Sequence, residues 1–481
     1  MPRNRQIYLL DPQQLPPETI AVTFAKTSRS PQSFREIAAE LTEAKSADFH
    51  EKWVVGYGHS SVAEHAVLHI AAENISRLAV ECLESNRLAS YTEKSTRYQQ
   101  WGLDDFYRPA ELQNHLLQGL YEDTCRSLFE TYTRCLEPVQ QVIAAENPPR
   151  EGETPSAWER RVRPQAVDVC RFLLPAAALA NVGMTINARA LEHAIRKMLS
   201  HPLMEVRAMG EEIKAAALES TPTLVKYADA VPYLQNVREA LTPGLPAEPA
   251  MPAGPGETPW CRLLDWDRNA DLHILAAALY RHGENGYAHS IEQVRNLSAG
   301  EQARLAAAIL GSLGPHDIPI RELEFSFFVF DIILDQGAYA ELKRHRMMTQ
   351  TPQALTPLLG YAIPRCICAA GMETDYRRAM ETARETYLQL HNFNPAVASY
   401  VVPNGYNRRV LLSTNLRSLM HFVSLRSAPN AHFSIRRIAH RMAELARETM
   451  PLLGDYLTTA PGESWQDVEK MHFAETKAGD Q

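Results

Sequence analysis

Two stretches in opposite halves of the chain, RFLLPAAALANVGMTINAR and SYVVPNGYNRRVLLSTNLR, carry the same residue types at the same steps. The interval from Pro175 to Asn187 is the interval from Pro403 to Asn415. Each Asn is followed at matching offsets by an Arg (Arg189, Arg417) and a His (His193, His421). Both stretches then lead into amphipathic segments, MGEEIKAAALE in one half and IAHRMAELARE in the other. A duplicated sequence repeats one pattern of burial, so the chain should fold as two related copies. Between them, LTPGLPAEPAMPAGPGETP (Leu241 to Pro259) is too rich in Pro, Gly and Ala for a regular element. The expected organisation is a first copy over residues 1–238, a linker over 239–262 and a second copy over 263–481.

A second matched pair surrounds the basic run KRHRMMTQTPQ. His65 to Ala79 has apolar residues at 68, 71, 75, 78 and 79, the spacing of an amphipathic helix. Phe325 to Leu342 is similarly apolar and leads straight into Arg344, His345 and Arg346. Aligning the two ends sets Ser85, Asn86 and Arg87 over that triplet. Ser90, Glu93, Ser95, Arg97 and Tyr98 then fall over Thr349, Pro352, Ala354, Thr356 and Pro357. One copy keeps the bases; the other keeps a carboxylate, hydroxyls and a distal Arg. Arg171 likewise stands where the second copy has Ser399, and Arg426 where the first has Met198. Independent decay of two copies does not produce such complementary losses, whereas a site built from both does.

Composition narrows the function. A length of 481 residues calls for more than one core. The net charge of −8 argues against general affinity for a nucleic acid polymer or an anionic membrane. An anionic ligand must therefore be met by a local cluster of Arg. No apolar run has the length of a signal peptide or a membrane span. Of the seven Cys only Cys366 and Cys368 are close in sequence, which is neither a zinc spacing nor a disulfide framework. A reducing cytoplasm is the expected compartment, with no metal.

GHSSVAEH (Gly58 to His65), the triplet Arg344 to Arg346 and NLRSLMHFVSLR (Asn415 to Arg426), in this order, resemble the motifs of the flavin-dependent thymidylate synthases. The complementary loop residues of the first copy, Glu93, Ser95 and Arg97, resemble the rest of that signature. The resemblance implies an α+β fold in each copy, with a mixed sheet flanked by long helices and the copies related by a pseudo-twofold axis. It also implies FAD and dUMP bound where family subunits meet. A homodimer of tandem chains would then form a pseudo-tetramer, with complete junctions joining unlike copies. The implied reaction is reductive methylation of dUMP to dTMP, with methylenetetrahydrofolate as carbon donor and NADPH reducing the FAD. On this resemblance Arg344, His345 and Ser95 are the catalytic candidates. FAD would be held by His59, Ser61, Glu64, Arg344, His345, Arg346, Asn415, Arg417 and His421. The nucleotide would be held by Glu93, Ser95, Arg97, Arg171 and Arg426. The planar Arg fork suits paired phosphate oxygens, and a fixed positive charge at Arg344 favours electron density building at the pyrimidine.

Three departures stand out. Glu341 occupies a position where the family has Gln, Thr92 replaces an Asn, and in PHDIPIREL only His316 remains of the upstream motif. Two other readings stay open: a catalytically degenerate flavin- or nucleotide-binding scaffold, and a flavin enzyme that transfers a one-carbon unit to a different pyrimidine nucleotide.

Overall fold

The computed structural model describes residues 5–97, 101–241, 260–314 and 316–474. Tyr98 and linker residues 242–259 lie outside them. One compact unit is drawn from Met1–Ser95, Asp105–Gln118 and Ala177–Pro246, the other from Thr96–Asp104, Gly119–Ala176 and Ala247–Gln481. The second unit therefore contains pieces of both sequence copies.

The first unit carries the strands β1 (Val67–Ser76), β2 (Ala89–Glu93) and β3 (Leu179–Asn187), in the order β1-β3-β2. The second carries β4 (Cys261–Trp266), β5 (Phe328–Asp335), β6 (Thr349–Pro352) and β7 (Asn407–Thr414), in the order β4-β5-β7-β6. The α+β class and the two copies hold. The described sheets are antiparallel throughout, not mixed, because the strands on either side of β3 and of β7 both run against the central one.

The helix expected over His65 to Ala79 is instead strand β1 followed by the short helix Arg77–Leu83. Phe325 to Leu342 repeats the plan, with β5 followed by the helix Gln336–Leu342. Pairing along β3 and β7 satisfies the backbone of these segments, and that tertiary pairing overrides an ambiguous apolar spacing. The copies differ by one residue here: β1 has a bulge between Ala72 and Ile75, with Asn74 at φ 56°.

Register confirms the internal alignment. Ser90 pairs with Thr185 and Thr349 with Ser413; Glu93 pairs with Val182 and Pro352 with Val410. These partners sit at identical steps before Asn187 and Asn415. Ser76 caps the first short helix and donates its hydroxyl to Glu205 over 2.5 Å. Asp335 caps the second and accepts from the hydroxyl of Ser434. One buried polar pair is thus built twice with hydroxyl and carboxylate exchanged, and burial raises the Asp335 carboxyl.

In the second unit the copies meet across a local two-fold. Pro175 and Pro403, equivalent residues of the repeat, form an antiparallel bridge with each other. The Ala176 amide donates to the Val402 carbonyl over 3.0 Å, and the Asn404 amide to the Leu174 carbonyl over 3.0 Å. Exchanging the copies converts one bond into the other. The long helices Gln118–Glu146 and Glu373–Phe393 add a hydroxyl contact, Thr124 to Thr386, at 2.8 Å.

Candidate functional site

Three helix ends and one loop of the second unit meet at one place. The helix Gln336–Leu342 delivers Glu341 and, just beyond its end, the Arg344 to Arg346 turn. The helix Leu416–Arg426 ends on Arg426, Arg171 closes the helix Pro155–Cys170, and Arg97 follows β2. Their side chains form one alternating ladder of charge. Arg97 grips Asp168 with Nε at 2.9 Å and a terminal nitrogen at 2.7 Å. Asp168 also lies 3.3 Å from Arg171, which reaches Glu341 at 3.2 Å. Glu341 then accepts from Arg426 at 2.7 Å, and Arg426 Nε donates to His345 Nε2 at 3.0 Å.

The ladder crosses from the first copy (Arg97, Asp168, Arg171) to the second (Glu341, Arg426, His345) within one chain. Arg171 and Glu341 are only 12% and 15% exposed, so screening by water is weak where the copies meet. Burial alone would raise the Glu341 carboxyl, but Arg171, Arg426 and Arg97 together leave it below its usual range. Burial, and then the charge of Arg426, hold His345 at about 3, so it is a neutral acceptor toward that Arg. Burial and Arg171 keep His432 far below the usual value too, with its Nε2 3.1 Å from the Asp168 carbonyl.

The ladder brings together Arg97, Arg171, Arg426 and His345 of the expected site. Arg344 lies exposed on the turn beside them and Arg346 is partly buried. The exposed His421 ring stands 5.8 Å from that of His345. Asn415 and Arg417 have local partners. Asn415 caps its helix by accepting from the Ser418 amide at 2.9 Å, as Asn187 does from Ala190 at 2.9 Å. Arg417 reaches Glu324 at 2.7 Å and the Pro319 carbonyl at 2.9 Å.

The remaining candidates belong to the first unit. Glu93 pairs with Arg77 at 2.6 Å, and Ser95 is exposed. His59, Ser61 and Glu64 line a cavity of about 780 Å³ together with Trp53, Lys26 and Arg29. Arg29 lies 4.6 Å over the Trp53 ring, on which Tyr57 stacks at 5.0 Å. Neither Ser60 nor Ser61 caps the turn Ser60–His65 through its side chain. Glu64 is instead paired with Arg189, the repeat of the Glu324–Arg417 pair. The second copy's remnant of GHSSVAEH is accordingly Glu324, not His316.

Asp168 and Glu324 were absent from the expected set. For Glu324 the available signal was the Arg at the same step after each Asn, paired in the first copy with Glu64; Asp168 lies in no motif and carried none. The lost positions have been refitted. Ser399 donates to the Leu355 carbonyl at 2.9 Å, where the first copy sets Arg171 3.4 Å from Thr96. Lys197 ties down Ser85 and Asn86 at 2.5 and 2.9 Å, in the place of the basic triplet.

The sequence pattern of the family described as "Thymidylate synthase complementing protein" matches residues 10–223 and 262–452. The chain is 32% identical to a UPF0159 protein of Chlamydia muridarum (strain MoPn / Nigg) over 87% of this chain and 82% of that one. It is 25% identical to a flavin-dependent thymidylate synthase of Clostridium tetani (strain Massachusetts / E88), over 44% of this chain and 82% of the relative. Among solved structures, a UMP/dUMP methylase PolB from Streptomyces cacaoi bound with 5-Br dUMP matches 41% of this chain and 93% of its own, at 19% identity and a TM-score of 0.33. With the family pattern matching twice in tandem and the two matches together covering most of the chain, the protein belongs to the flavin-dependent thymidylate synthase family as two diverged copies.

Proposed function

We propose that the chain is an FAD-dependent enzyme that methylates dUMP to dTMP, taking the carbon from methylenetetrahydrofolate and the reducing equivalents from NADPH. The observation that carries this reading is the convergence of Arg97, Arg171 and Arg426, from unlike copies, on one ladder. Those three are the bidentate donors a nucleotide phosphate needs. The neutral His345 orients Arg426 by accepting from its Nε, and Arg344 supplies positive charge at the exposed end of the turn.

The chemistry of the cavity around His59, Ser61 and Glu64 fits FAD. Trp53 offers an aromatic face, and Lys26 and Arg29 offer charge to a diphosphate. Arg346, Asn415, Arg417 and His421 are the second copy's own candidates for flavin contacts. Bound FAD would supply the hydride chemistry, leaving positioning and electrostatics to these side chains. The working form is a cytoplasmic homodimer. That no helix among the described residues is long and apolar enough to cross a membrane agrees with such a form.

Release of tritium from C5-labelled dUMP tests the reading, with NADPH and methylenetetrahydrofolate present. Release that needs both, and that falls about a hundredfold or more in Arg426→Ala, is expected from the loss of a largely buried charge pair. A flavin-loaded protein that releases none would overturn it.

A further inference from the structure

Glu341 lies where a bound anion would lie. Its two carboxylate oxygens are divided between Arg171 at 3.2 Å and Arg426 at 2.7 Å, one Arg from each copy. A phosphate bridging two guanidinium groups would make the same contacts. Arg171 keeps a donor in reserve, since its Nε is buried with no hydrogen-bond partner among the described residues. The groups around the carboxylate are Arg97, Asp168, Arg171 and Arg426, with His345 and His432 neutral. Three guanidinium groups facing two carboxylates leave one positive charge for a phosphate dianion.

We infer that Glu341 is a built-in stand-in for the ligand's phosphate: it holds Arg171 and Arg426 together across the copies and is displaced when a phosphate monoester binds. The inference rests on the nucleotide reading above and adds to it a competitor within the protein. The competitor lowers affinity for phosphate and keeps the buried Arg pair satisfied before the ligand arrives. Substrates are then selected by what displaces Glu341. A dianionic monoester brings two charges and three acceptor oxygens, whereas a nucleoside brings neither and leaves Glu341 in place.

Calorimetric titration of the full chain with inorganic phosphate, and separately with dUMP, tests this. Glu341→Gln should bind inorganic phosphate about tenfold or more tightly than the wild type, the scale of one removed repulsion of about 1.4 kcal/mol. Phosphate should also raise the unfolding temperature of this variant more than that of the wild type, because it re-pairs the two Arg. Glu341→Asp keeps the charge but shortens the reach to one Arg, and should bind phosphate with intermediate strength; it carries the test if the Gln form does not fold. Phosphate affinity unchanged or weakened in a folded variant overturns the inference. Tighter phosphate with no dUMP binding in any form supports the stand-in and overturns the nucleotide reading instead.

Discussion

Asn187 and Asn415 mark how one residue serves two ends. Both accept from a backbone amide in the first turn of the following helix, so the motif Asn survives in both copies for the helix alone. Only Asn415 belongs to the copy that retains the basic triplet. Asn187→Ala and Asn415→Ala should therefore cost similar stability, about 1 kcal/mol each, in urea unfolding. Flavin content of the purified protein should fall for Asn415→Ala alone. An equal loss of flavin in both variants would contradict the assignment of a flavin contact to Asn415 and not to Asn187. The carboxylate–Arg pairs repeat the point: Glu64–Arg189 and Glu324–Arg417 exist in both copies, so the pairing belongs to the fold before it belongs to any ligand.

Elements explain what could be read from the sequence and what could not. Placing Ser85 to Arg87 over Arg344 to Arg346 was sound because both helices end seven residues after their caps, Ser76 and Asp335. The strand nature of Val67 to Ser76 was hidden, since its apolar residues fit a helical spacing and only pairing with β3 decides between the two. Asp168 was hidden differently: it lies on the helix Pro155–Cys170, in no motif, and is recruited by Arg97 and Arg171 only in the folded chain. Glu341 stands out in the sequence only as a departure; its bridging of two Arg exists only in the folded chain. The junction of the copies gives its own test. A Cβ on Gly405 would come 2.7 Å from the Tyr376 hydroxyl and 3.0 Å from Met380 Cε, close to where residue 403 meets Pro175. The Tyr376 hydroxyl is held by the Ala362 carbonyl at 2.7 Å, so it cannot retreat freely. Gly405→Ala should cost roughly 1–3 kcal/mol of stability by overpacking. A neutral effect on the thermal midpoint would mean that this junction is looser than described.

At the scale of the molecule, buried neutral histidines set the response to acid. His345 titrates at about 3 and His432 far below its ordinary value, while both return to about 6.5 in the unfolded chain. Their folded values are depressed, so the unfolded chain takes up protons first. The stability they contribute is whole above pH 6.5 and drains away as pH falls toward the folded values. Each is worth up to about 1.4 kcal/mol per pH unit in that window. Urea midpoints should therefore drop between pH 7.5 and 5.5. His432 Nδ1 also accepts from the Ser434 amide at 3.2 Å and so caps the helix Phe433–Thr449. His432→Asn keeps such an acceptor and should flatten part of that slope; an unchanged slope would mean that His432 is not held neutral.

The central claim is that unlike copies of one chain complete one nucleotide site, and a mixing titration reaches it most directly. Arg171→Met and Arg426→Met each remove one side of the Glu341 bridge, and the two variants can be unfolded together, refolded and titrated with dUMP. The wild type should bind one dUMP per chain, each variant none, and the refolded mixture none, because every chain carries a broken site. Recovery of dUMP sites in the mixture would mean that Arg171 and Arg426 meet the nucleotide from different chains, and the account of a site closed within one chain would be wrong.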